Sequence, residues 1–107
     1  APVAPDAPRA PVFRRQAPDA YTLQVASVAL ESAAAALAEH LDGALDLDVF
    51  VVAYAAGDGA LRHAVLVGVF ASRDAASRAV GLLLRLATGG EPWPRRIGDV
   101  QALMPVP

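Results

Sequence analysis

The chain has no cysteine, which excludes a disulfide framework and a thiolate zinc site and leaves the redox compartment unread. Aromatic residues are few, 6% against 55% apolar residues overall, so a core has to be assembled from Val, Leu and Ala. Neither sign of charge dominates. Nine basic residues face 11 acidic ones for a formal net charge of −2, and that balance gives no field to draw in a polyanion such as a nucleic acid. No apolar run reaches the ~20 residues of a membrane-spanning helix, and the start Ala1-Pro2-Val3-Ala4-Pro5 lacks the basic and apolar regions of a signal peptide. Any export signal or anchor is therefore expected outside this chain, which reads as a fragment or processed product because it carries no initiating Met.

The signatures of chemistry are also lacking. Gly57-Asp58-Gly59 and Gly89-Gly90 belong to no GxGxxG or Walker pattern and read as hairpin and helix-stop glycines. Ser27, Ser32, Ser72 and Ser77 sit in no nucleophile elbow. His40 and His63 are far apart in sequence, at no spacing typical of a metal site. Asp46-Leu47-Asp48 places two carboxylates on one side of a strand, where they blunt an edge. The expectation is a non-catalytic chain with no metal and no cofactor.

What is present divides the chain in two. Pro2, Pro5, Pro8 and Pro11 recur at a strict spacing of three, with Pro18 beyond them, among alanines. That composition favours an extended polyproline-II spacer over residues 1–19, which cannot build a core. Residues 20–104 are left as one folded domain, small enough to bury only about two-thirds of its unfolded surface.

Within it Tyr21, Leu23 and Val25 alternate with Thr22, Gln24 and Ala26, as in a half-buried strand. From Glu31 to Asp42 the period lengthens, and Ala33, Leu37 and Leu41 predict a helix with His40 on its solvated side, ended by Gly43. Asp46 to Ala55, the turn at Gly57-Asp58-Gly59 and Leu61 to Phe70 predict a hairpin. Ser72 can cap a second helix whose buried stripe is Ala75, Ala79, Leu82, Leu83 and Leu86, and Trp93 to Gln101 is expected as a last strand at a sheet edge. The order predicts an α+β domain of βαββαβ, ferredoxin- or RNP-like form: a four-stranded antiparallel sheet with two helices on one face and the other face open.

Three segments carry a resemblance: Tyr21-Thr22-Leu23-Gln24-Val25-Ala26-Ser27, Val67-Gly68-Val69-Phe70-Ala71-Ser72-Arg73-Asp74-Ala75, and Pro92-Trp93-Pro94-Arg95-Arg96-Ile97-Gly98-Asp99-Val100-Gln101. In order and spacing they resemble the SPOR family, and in particular its DamX-like cell-division members. The resemblance implies a periplasmic module that binds septal peptidoglycan glycan strands lacking stem peptides. It also implies a long linker to a parent protein anchored in the inner membrane, with division proteins as a further class of partner. The recognition surface it implies is the open sheet face, with Gln24 and Ser27 on the first strand, Arg62 on the third and Ile97 on the fourth. The third-strand position is commonly aromatic in DamX-like members, and here it is Arg62 followed by His63.

Sugars need hydrogen-bonding side chains for their hydroxyl and acetamido groups, and rings for their C–H faces. Gln24 offers both donors and an acceptor. If Val49, Val51 and Ala53 face the helices, Phe50 and Tyr54 are displayed on the open face and can replace the missing third-strand ring. Removal of a stem peptide turns the lactyl amide of muramic acid into a free carboxylate. Arg62, and after it Arg95, are the groups to read that charge through paired hydrogen bonds. Trp93 reads first as an anchor of the core or sheet edge. The competing functions are a ferredoxin-like interaction or dimerisation module, which would use exposed Phe50, Leu66 and Ile97, and RNA binding, against which the third strand's lack of basic and aromatic RNP residues argues.

Overall fold

A computed structural model describes residues 9–44, 47–84 and 92–104. The elements run α1 (Arg9–Arg14), β1 (Tyr21–Val28), α2 (Glu31–Ala44), β2 (Val49–Ala55), β3 (Leu61–Phe70), α3 (Arg73–Leu84), β4 (Trp93–Arg96) and α4 (Ile97–Leu103). The four strands form one antiparallel sheet in the order β2-β3-β1-β4, the α+β arrangement that the element order predicts.

One face of the sheet presents Leu23, Val25, Val49, Val51, Val65 and Val67 to Ala34, Ala38 and Leu41 of α2 and to Ala76 and Leu83 of α3. Of the predicted stripe of α2, Leu41 is buried and Leu37 partly covered, but Ala33 is exposed and Ala34 and Ala38 are buried instead. So many alanines establish a helix without fixing its phase. Ser72 caps α3 by accepting the Ala75 N–H at 3.1 Å, which satisfies a first-turn donor that has no partner within the helix. Ala79 and Val80 pack beside Ala76 and Leu83, while Leu82 is half-exposed. Leu86, Gly89, Gly90 and Asp46 lie outside the described residues. The hairpin turn forms as predicted, with Gly59 at φ 83 and the Asp58 carboxylate accepting the Ala60 N–H at 2.9 Å.

The opposite face is covered, and two expectations change because of it. Phe50, Val52, Ala64 and Leu66 lie in a second buried cluster with Phe13 of α1 and with Ile97, Val100 and Met104 around α4. Residues 9–14 of the expected spacer are helical, and Phe13 is fully buried with its ring edge-on to Phe50 at 5.2 Å between centroids. The proline period stops at Pro11, which falls in the helix's first turn where proline costs no hydrogen bond. The last strand is shorter than expected and ends at Arg96. From there Ile97, Val100 and Met104 follow helical spacing and cover the sheet.

The start of α4 is tied through its backbone to the connection between α1 and β1. Ile97 and Gly98 donate their N–H groups to the carbonyl oxygens of Ala20 and Pro18 at 2.9 and 2.8 Å. At Gly98 a Cβ would lie 2.8 Å from the Pro18 oxygen, so glycine is what allows the approach. The Gln101 side-chain amide donates to the carbonyls of Phe13, Arg14 and Gln16 at 3.0, 3.3 and 3.0 Å, bracing the end of α1 and the turn that follows it.

Candidate functional site

The strand register lays the side chains of the second face out in rows. Phe50, Leu66, Gln24 and Trp93 stand directly opposite one another across β2, β3, β1 and β4. The next row is Val52, Ala64 and Ser27, and beyond it Tyr54 stands opposite Arg62. Successive rows are about 7 Å apart, two residues of strand rise. Gln24 and Ser27 share this face although an odd number of positions separates them. Gln24 opposes Leu66 while Ala26 opposes Val65, so β1 carries a bulge whose extra residue reverses the alternation.

Two polar clusters border the apolar middle of the face. At the hairpin end, the Ser27 hydroxyl and the Tyr54 hydroxyl are 2.5 Å apart, and Arg62 donates from Nε to Ser27 Oγ at 2.9 Å and from Nη2 to the Ser27 carbonyl at 2.7 Å. All three residues are half-buried. The serine hydroxyl accepts from Arg62, so when it donates its own proton to Tyr54 the phenol proton is left for a ligand. The bonds to Ser27 also occupy only part of the guanidinium's donor fork. At the β4 edge, Arg95 Nη1 donates to Gln24 Oε1 at 2.8 Å, with Arg95 half-buried and Gln24 almost wholly buried. Trp93, opposite Gln24, is 45% exposed.

Of the seven residues expected at the site, five fall into two groups. Ser27, Tyr54 and Arg62 come together, and Gln24 meets Arg95. Phe50, at 2% exposure, faces away from α2 and α3 as expected but is not displayed, because Phe13 lies on it. Ile97 is fully buried and belongs to α4 rather than to the fourth strand. Gln24, too, is a buried residue that holds Arg95 rather than a displayed amide. What the sequence reading missed is the cover itself. Its signals were Phe13, a lone ring beside the prolines, and the helical spacing of Ile97, Val100 and Met104 in a segment taken as strand.

The chemistry open to this face follows from its groups. Two arginines and two hydroxyls offer donors and acceptors to a polar, anionic ligand, around a dry apolar centre. No group of three potential metal-ligating side chains occurs among the described residues. Comparison with known proteins gives one match: the family model described as "SPOR domain" matches residues 17–96. No curated protein and no solved structure matches the chain. Both covering helices, α1 at Arg9–Arg14 and α4 at Ile97–Leu103, fall outside the matched segment.

Proposed function

Because the chain belongs to the SPOR domain family, we propose that it binds septal glycan strands stripped of their stem peptides and so targets its parent protein to the division site. SPOR domains bind peptidoglycan, are periplasmic and septal, and form a family of binding domains rather than enzymes. No described helix is long and apolar enough to cross a membrane; the inner-membrane tether of the parent protein is part of the proposal.

The observation that carries the preference for stripped strands is the Ser27–Tyr54–Arg62 cluster. It holds a guanidinium beside two hydroxyls on the face where the resemblance places recognition, with donor capacity left over. A stripped muramic acid presents a carboxylate with hydroxyl and acetamido groups nearby. A bidentate arginine matches the first, and the serine and tyrosine match the others. Arg95, held by Gln24, supplies a second cation on the same face. An intact stem peptide offers an amide at that position and forfeits the charge-assisted bonds.

The dimerisation reading required Phe50, Leu66 and Ile97 at the surface, and all three are buried. RNA binding gains little from Arg62 and Arg95 on this face, which are engaged by Ser27 and Gln24.

Co-sedimentation of the domain with purified sacculi, before and after amidase removal of the stem peptides, tests the proposal. Binding is expected to rise after amidase treatment and to fall in Gln24→Ala, which frees Arg95 from its brace. Absence of binding to either preparation would overturn the peptidoglycan reading. Equal binding to both would overturn the preference for stripped strands.

A further inference from the structure

We propose that α1 is a displaceable cover of the glycan site, so that docking of the N-terminal segment and full engagement of the sheet face by glycan exclude one another. This inference rests on the glycan-binding reading and concerns the regulation of that same site.

The segment is built to dock without being built to stay docked. A helix of six residues, Arg9–Arg14, has no stability of its own in water, so it exists only while its partners hold it. Phe13 inserts against Phe50, the Gln101 amide takes the carbonyls of Phe13, Arg14 and Gln16, and the backbone at Pro18 receives the Gly98 N–H. The ordering of a whole segment costs more than the burial of one ring returns, so little net stability holds the segment in place. Val12, next to the anchor, is 38% exposed and adds little. The balance therefore lies near the point where a ligand can tip it.

What the cover hides is the part that the exposed rim lacks. Beneath Phe13 lies Phe50, in one buried cluster with Val52, Ala64 and Leu66 that Ile97, Val100 and Met104 also share, flanked by Ser27, Tyr54 and Arg62 in the next rows and by Gln24 in the row of Phe50. A ring framed by hydroxyls and a guanidinium is a platform for the C–H face of a sugar as well as for its polar groups. With α1 docked, glycan meets only the polar rim; with α1 displaced, it meets rim and ring together. Linkage makes the effect reciprocal, since glycan bound to the uncovered face must weaken the docking of α1 by the same factor. A family model that matches from residue 17 onward leaves α1 outside the matched segment, as an addition laid over the shared sheet.

The test uses the full chain. In the ligand-free protein the amide hydrogens of Arg15 and Gln16, bonded to the carbonyls of Val12 and Phe13, are expected to show slowed exchange. That protection should be lost on adding soluble stripped glycan strands. Phe13→Ser should raise glycan affinity by several-fold up to about tenfold, the gain obtained when the competent state rises from about one-tenth populated to full. Should Phe13→Ser fold poorly, Gln101→Ala releases the same helix without touching the sheet and should give a smaller gain. If the wild type binds glycan but α1 amides stay protected and neither variant gains affinity, the cover is a fixed part of the domain and the inference fails. If the wild type binds no glycan at all, the underlying function fails first.

Discussion

Replacing Phe50 by alanine is expected to cost about 3–5 kcal/mol of folding stability, a large share of the 5–15 kcal/mol that holds a typical domain. The side chain is 2% exposed and lies against the ring of Phe13, and β2 cannot move away from the vacancy, because it is paired with β3 along its whole length. A loss of this size should lower the melting temperature by at least about 10 °C. An open sheet face, with Phe50 displayed to solvent, makes the opposite forecast of a change within about 0.5 kcal/mol. Urea unfolding of Phe50→Ala beside the wild type decides between the two, and a near-neutral result would mean that the second face is not covered.

Arg62→Ala is expected to weaken binding to stripped glycan about 10- to 100-fold, corresponding to the ~1.5–3 kcal/mol of a hydrogen-bonded charged partner. The guanidinium also braces Ser27 through both its hydroxyl and its carbonyl, so part of the loss is the disorder of that hydroxyl and of Tyr54 beside it. Arg62→Lys separates the contributions: the charge remains and the planar fork does not, which places its affinity between wild type and alanine. Screening gives the second readout. Wild-type affinity should decline as salt shortens the Debye length from about 10 Å at 0.1 M to 3 Å at 1 M, and Arg62→Ala should flatten that decline. Wild-type binding that is indifferent to salt would remove the carboxylate from the recognition.

Most of the sheet was legible from the sequence because its signals are local. Alternation marked β1, the glycines and Asp58 marked the β2–β3 turn, and Ser72 marked the start of α3. The faces of β2 and β3 followed from valine placement alone. The second layer was not legible for two physical reasons. Six- and seven-residue helices such as α1 and α4 are too short to show a full amphipathic period, and α1 forms only because Phe50 and Gln101 await it from distant parts of the chain. The same blindness misplaced Ile97, which continues from β4 in sequence but turns under the sheet. At the site, residue types at Ser27, Tyr54 and Arg62 suggested polar recognition, whereas their joining needed the bulge at Val25 and Ala26, which no pattern of alternation announces.

The binding surface is tested most directly by following backbone amide resonances while soluble stripped glycan strands are titrated into the domain. Shifts are expected at Gln24, Ser27, Tyr54, Arg62 and Arg95, with α2 and the outer side of α3 unmoved. Shifts centred on α2 and α3, or none at any glycan concentration that sediments the protein with sacculi, would contradict recognition by the second face of the sheet.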